Sequence, residues 1–262
     1  MLHHLRLFLI ALQFFTRVPV PRWVGFQPDW LQQSARYFPL VGAVVGLWSA
    51  LVLWAALLVF PATVAVVLAM AASAWLTGGF HEDGLADTCD GLGGAVSRER
   101  ALEIMKDSRL GSYGALGLVF VLGLKAATLV ALAEADPTLA LVALAWSHLA
   151  SRAAPVWLMH ALPYAGDAAH AKAKPLATQI SGGGLVVALG SVVVASAVWA
   201  WWLPDDVPLL LGAVLSGAGL TFYMQSLLER RLGGYTGDNL GATQQVVEVA
   251  ALLAVLGLAT FF

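Results

Sequence analysis

Apolar runs of roughly 20 residues recur along most of this chain, and about that many residues of helix are needed to cross the hydrocarbon core of a bilayer. Seven such windows are read from the sequence: Tyr37 to Phe60, Ala62 to Gly79, Ser112 to Ala135, Pro137 to Ala161, Gly183 to Leu203, Val207 to Leu228 and Leu240 to Phe262. Within lipid a backbone must satisfy its own hydrogen bonds, and single apolar segments do so as α-helices. The expectation is an all-α polytopic membrane protein of about seven transmembrane helices forming one domain. Composition agrees, since 60% of the 262 residues are hydrophobic and mean hydropathy is +0.80, far outside the range of soluble domains.

Met1 to Phe15 has a basic start and an apolar run too short to span, with no small-residue cleavage site. With Arg6, Arg17, Arg22, Trp23 and Trp30 it reads as an interfacial segment that stays on the protein. The turns after the odd-numbered spans are short and carry no cations. The other connections hold Arg36, Arg98, Arg100, Lys106, Arg109, Lys172, Lys174, Arg230 and Arg231. The excess of Lys and Arg on one set of loops predicts a cytoplasmic N-terminus and puts every polar cluster on the cytoplasmic face. The net charge of −2 says little about partners, and the single cysteine, Cys89, excludes an internal disulfide.

The chemistry concentrates in Gly78-Gly79-Phe80-His81-Glu82-Asp83-Gly84-Leu85-Ala86-Asp87-Thr88-Cys89-Asp90-Gly91. If the preceding span continues as a helix, Asp83, Asp87 and Asp90 fall at i, i+4 and i+7 on one face, and Glu82 points elsewhere. A solvated helix end explains acids at such a place. Their shared face, the flanking glycines and the continuity with a span instead favour a site for a hard cation with oxygen ligands.

Three further groups are candidates. Lys106-Asp107-Ser108-Arg109, ahead of Gly111 and Ser112, can present charged, hydroxyl and backbone donors to a phosphate, against a bland reading as positive-inside bias. Asp238 and Asn239, at the entrance to the last span, serve equally as a helix cap or as a further metal carboxylate and a substrate contact. Arg152 and Lys125 lie inside spans, where a structural pair with a buried acid competes with Arg152 reaching an anionic substrate; His81 is a possible second partner to phosphate or acid. Carboxylates holding a cation beside basic residues suit phosphoryl or phosphodiester transfer at a membrane surface.

Five stretches resemble the cobalamin synthase family, the adenosylcobinamide-GDP ribazoletransferases: residues 78 to 91 and Met-Lys-Asp-Ser-Arg-Leu-Gly-Ser-Tyr-Gly at 105 to 114, with Thr-Arg-Val-Pro-Val-Pro at 16 to 21, Tyr-Phe-Pro-Leu-Val-Gly at 37 to 42 and Gly-Gly-Tyr-Thr-Gly-Asp at 233 to 238. The resemblance implies a Mg²⁺-dependent enzyme of the bacterial inner membrane that joins adenosylcobinamide-GDP to α-ribazole or its 5′-phosphate and releases GMP. On that reading Asp83, Asp87 and Asp90 hold Mg²⁺, with Asp238 and Glu82 as further ligands. Lys106, Ser108, Arg109, Arg152 and Asn239 bind phosphate or substrate, and Glu82, Asp107 or His81 is the base. Membrane lipid is its solvent, a homo-oligomer is admissible and no nucleic acid is expected.

Two other readings stay open. Asp-Gly-Leu-Ala-Asp also resembles a fragment of the CDP-alcohol phosphotransferase signature, which would make the chain a lipid-headgroup enzyme. A cation transporter would place acids along an ion path; the acids are read as gathered at one surface with none in the middle of a span, which favours an enzyme.

Overall fold

The computed structural model describes residues 2–95, 97–166 and 178–261, and the chain there is helical almost throughout. The helices are α1 (Leu2–Phe15), α2 (Pro28–Ser34), α3 (Phe38–Leu57), α4 (Ala62–Thr77), α5 (Phe80–Gly94), α6 (Arg98–Met105), α7 (Ser112–Ala135), α8 (Pro137–Ser151), α9 (Ala153–Ala161), α10 (Gly182–Trp202), α11 (Val207–Leu232) and α12 (Gly237–Ala259). Six helical stretches are long and apolar enough to cross a membrane, or seven when α4 and α5 are taken as one bent span. The expectation of an all-α polytopic membrane protein therefore holds. Lys172 and Lys174, counted toward the orientation, lie outside the described residues.

One expectation about the acidic stretch does not hold, because it is not a continuation of the second span. Gly78 and Gly79 both take φ +71°, a left-handed conformation that costs a residue with a Cβ about 1–2 kcal/mol. Two in succession end α4 and turn the chain by 90° into α5. The acids therefore ride on a helix that leaves the line of α4 and packs along α12 and α7. A second break divides the fourth span at Arg152, between α8 and α9. Pro155 explains it, since its ring has no N–H to offer the carbonyl four residues back and crowds it.

The last helix is the hub. α12 packs against α5, α7, α8, α9 and α11. Its second half buries Ala251, Leu252 and Val255, whereas its first half buries Asn239, Thr243, Gln244, Gln245 and Glu248. Elsewhere the bundle closes on small residues, as expected where lipid removes the hydrophobic drive between helices. A Cβ on Gly42 of α3 would lie 2.2 Å from the His148 carbonyl oxygen, and one on Gly46 2.5 Å from that of Ala145, so α3 meets α8 backbone to backbone. Val193, Val194, Val119, Phe120 and Leu215 face outward and supply an apolar perimeter. The N-terminal arm is more than an interfacial strip: Leu7, Ala11, Leu12 and Phe15 of α1 are buried, and the Arg17 amide donates to the Leu76 carbonyl at 2.9 Å, fastening the arm to the end of α4.

Replacing Gly42 with Ala should lower the thermal midpoint in detergent by an amount equivalent to about 1–3 kcal/mol, the usual cost of overpacking. Gly190→Ala, on α10 with no atom near its would-be Cβ, is the control and should not lower the midpoint, since Ala favours a helix over Gly.

Candidate active site

The floor of the site is α5, held between α12 and the start of α7. Its glycines let neighbours come within backbone contact: a Cβ on Gly84 would sit 2.7 Å from the Asp238 carbonyl oxygen, and one on Gly117 of α7 2.5 Å from the Cys89 sulfur. Two side-chain bonds lock α5 to α12, Asn239 Nδ2 donating to Thr88 Oγ1 at 3.0 Å and Gln245 Nε2 to Glu82 Oε1 at 3.2 Å. The positions on one helix rise as those on the other fall, so the two run antiparallel. Asp238 thereby comes alongside Gly84, between Asp83 and Asp87 in the sequence of α5. Asp83 is exposed, and Asp87 and Asp238 are half-buried.

Asp90 shares the face but not the environment. It is buried at 9% exposure, and its two carboxylate oxygens accept the backbone N–H of Gly111 and of Gly114, each at 2.8 Å. Those amides belong to the first turn of α7, where donors lack partners within the helix and the dipole favours an anion. Neither glycine could carry a Cβ, which would come within 2.4 Å of an Asp90 oxygen. Asp90 is thus a tie between α5 and α7 and anchors the loop that carries Lys106 and Arg109. Helical spacing put it on the metal-facing stripe; the end of α7 closes over that part of the stripe.

Lys106, Ser108 and Arg109 are exposed on that loop, as a phosphate-binding role requires. The Arg109 guanidinium is paired with Asp107 at 2.5 Å, its side chain 88% exposed. Other basic residues of the same end cap helix carbonyls. Arg98 Nε donates to Leu232 at 2.7 Å, and Arg231 to Leu92 and Ala95 at 3.0 and 2.8 Å, so the last turns of α5 and α11 meet the start of α6. The turn 233–236 joins them: the Tyr235 amide donates to Pro163, and its buried phenol donates to the Thr178 carbonyl at 2.9 Å. Burial pushes that phenol up from its usual value, so it stays a neutral donor.

Several expected contacts go elsewhere. Asn239 is fully buried, where its side chain accepts the Thr236 N–H in a capping box and donates to Thr88, so it cannot also face a substrate. His81 is buried and stacked on Phe15 with ring centroids 5.4 Å apart, inside the bundle. Arg152 is 3% exposed and donates to the His148 carbonyl at 2.7 Å, so it points into the interior and does not extend to the open face.

The reading that no acid lies in the middle of a span is also overturned. Glu248, in the middle of α12, is fully buried. Lys125 of α7 pairs with it at 2.5 Å, His148 Nδ1 of α8 lies 3.3 Å away, and Gln244 Nε2 donates to it at 2.5 Å. Lys125 thus takes the structural pairing weighed for it. The signal was present, because Gln244, Gln245 and Glu248 interrupt an apolar window at helical spacing. The carboxylate is thus held by a cation, an imidazole and an amide within the bundle.

Among the described residues no three His, Cys, Asp or Glu side chains close into a cage for a metal. That does not argue against Mg²⁺, which keeps several waters and takes one or two carboxylates together with substrate phosphates. Asp83 and Asp87 stand one turn apart on α5, and the Asp238 backbone lies alongside Gly84 between them. If Asp90 ties helices together, Asp90→Ala should cost about 2 kcal/mol or more by stranding two amides. The check is a lower thermal midpoint with faster proteolysis within residues 106–111.

Comparison with known proteins identifies the family. The model of the cobalamin-5-phosphate synthase family matches residues 7–256. An adenosylcobinamide-GDP ribazoletransferase of Leptothrix cholodnii is 62% identical over 97% of this chain and 96% of its own length. Proteins of the same name from Shewanella piezotolerans and a Polaromonas species are 45% and 46% identical, each over at least 95% of both chains. No solved structure matches. With a family model spanning nearly the whole chain and relatives this similar over their full length, the chain belongs to the cobalamin-5-phosphate synthase family of transferases.

Proposed function

We propose that the chain joins adenosylcobinamide-GDP to α-ribazole or its 5′-phosphate, with Mg²⁺, at the cytoplasmic face of a bacterial inner membrane. Full-length similarity to proteins bearing that activity's name supports the reaction. The observation that carries the site is the open ledge of Asp83 and Asp87 beside Asp238, with Lys106 and Arg109 on the loop that Asp90 anchors. The proposed orientation is supported by Arg17, Arg98, Arg109 and Arg231 gathering at the end of the bundle where α5 lies.

In this reading Asp83 and Asp87, with Asp238, hold the cation, which when bound neutralises phosphate oxygens and eases departure of a phosphate leaving group. Lys106, Arg109 and Ser108 take the remaining phosphate charge. A ribazole hydroxyl attacks the phosphorus attached to cobinamide: the new O–P bond forms, the bond to GMP breaks, and the hydroxyl proton leaves to a carboxylate or water. Of the three groups considered as base, His81 is sequestered and Glu82 turns one oxygen inward. Asp107, with its side chain 37% exposed, is the one positioned to take a proton at the surface. The apolar perimeter is solvated by lipid acyl chains.

Purified protein given both substrates should form the corrinoid product with Mg²⁺ and lose that activity with EDTA. Asp83→Asn and Asp87→Asn should each lower kcat by about 100-fold or more, on the scale of losing a group that stabilises transition-state charge. The thermal midpoint of Asp83→Asn should change little, because that side chain is exposed. Turnover of CDP-diacylglycerol with an alcohol, and none of adenosylcobinamide-GDP, would overturn the assignment in favour of a lipid-headgroup enzyme.

A further inference from the structure

A cavity of about 290 Å³ lies between α8, α9, α10, α11 and α12. The buried part of its lining is Ala153 and Ala154, at the break between α8 and α9, with Ala213 of α11 and Val247 and Ala251 of α12. Its rim is Leu189 of α10 with Val214 and Phe222 of α11, at 40%, 38% and 53% exposure. Leu189 shares a face of α10 with the exposed Val186 and Val193, so the cavity is continuous with the apolar perimeter and opens onto it between two consecutive helices.

Two tryptophans of the lining brace its walls. Trp146 of α8 donates from its indole to Ser196 of α10 at 3.0 Å and meets Trp199 with ring centroids 5.7 Å apart. Trp157 of α9 donates to Gln225 of α11 at 2.8 Å and meets Phe222 at 5.5 Å. The other polar side chains of the lining also have partners within the protein: the Ser151 hydroxyl accepts from Gln244 Nε2 at 2.9 Å, and that of Thr221 donates to the Gly217 carbonyl at 2.7 Å. Water needs at least two polar partners to stay in such a space, and these side chains are already engaged. Packed interiors keep few voids larger than a water molecule, so the chemistry of the walls calls for hydrocarbon.

Depth selects which hydrocarbon. At 1.5 Å per residue, Val247 and Ala251 come about 14 and 20 Å along α12 from Asp238. That is the middle of a 23-residue helix, away from the carboxylates where a phosphate-bearing substrate is read to sit and level with the acyl chains of a bilayer. We propose that the cavity is a binding site for one acyl chain of a membrane lipid, which enters sideways between α10 and α11 and lies against the break between α8 and α9. An apolar cavity of about 150 Å³ admits benzene, so about twice that volume takes on the order of ten chain carbons. The site is separate from the transferase chemistry and does not depend on it.

The test uses full-length protein in phosphatidylcholine vesicles whose acyl chains are either plain or brominated at mid-chain, because bromine quenches tryptophan at close range. Trp146 is 6% exposed and so shielded from perimeter lipid, and its emission is the difference between wild type and Trp146→Phe. That emission should lose most of its intensity in brominated vesicles. Ala218→Phe, which puts a ring into the lining from an exposed position, should restore it. Equal Trp146 emission in the two kinds of vesicle would overturn the proposal. So would quenching that Ala218→Phe leaves intact, since the bromine then acts from the perimeter. Emission that α-ribazole changes and brominated lipid does not would give the cavity to a substrate ring and overturn it as well. Should Trp146→Phe not fold, mass spectrometry of wild type and Ala218→Phe released from plain vesicles decides: a lipid kept by the first and lost by the second supports the site, and equal retention overturns it.

Discussion

A carboxylate ionised in the middle of a membrane helix has to find its counter-charge inside the bundle, and Glu248 meets that demand with Lys125. The pair determines more than its own neighbourhood. It requires α7 and α12 to touch at one height, and His148, 3.3 Å from the same carboxylate, brings α8 to that level. The Gly42 and Gly46 contacts then bring α3 against α8. A charge that cannot leave thus sets the register of four helices more sharply than apolar packing against lipid does, because Leu and Val are nearly as well solvated by acyl chains as by one another.

The site is built from helix ends, where backbone groups lack partners and therefore accept outside ones. The paired left-handed glycines deliver α5 across the bundle, Asp90 uses the first amides of α7, and Arg98 and Arg231 use the last carbonyls of α11 and α5. The acids left on the open part of α5 meet the aqueous boundary, and the cations that cap these ends give that boundary its positive field. In the proposed function this ledge takes a cation together with anionic substrates, neither ion being enclosed by protein alone.

The apolar windows were legible because hydrophobicity is a local property of about 20 residues, and the windows track the observed helices closely outside the bent second span. The acidic stretch was legible as a site, since carboxylates beside glycines at a membrane boundary are costly unless used. Its members could not be told apart. Asp83, Asp87 and Asp90 are equivalent on an isolated helix, and Asp90 differs only because the start of α7 covers it. The sequence favours Arg152 serving a ligand because a cation in a span is costly unless used; that it turns instead to the His148 carbonyl depends on packing. Glu248 was overlooked although it stands in plain view among apolar residues; its partner Lys125 is 123 positions earlier, and no local pattern links the two.

From the order of residues alone came the helical membrane class, the approximate spans, the concentration of polar groups at one end and the family likeness, since each depends on composition or on contiguous motifs. Which carboxylates face outward, which cation meets which acid, and the right-angled path of α5 were decided only by tertiary packing. The physical reason is that charge compensation and helix capping act across space between segments distant in the chain, and in the low dielectric of a bundle they outweigh the preferences that any short stretch carries by itself.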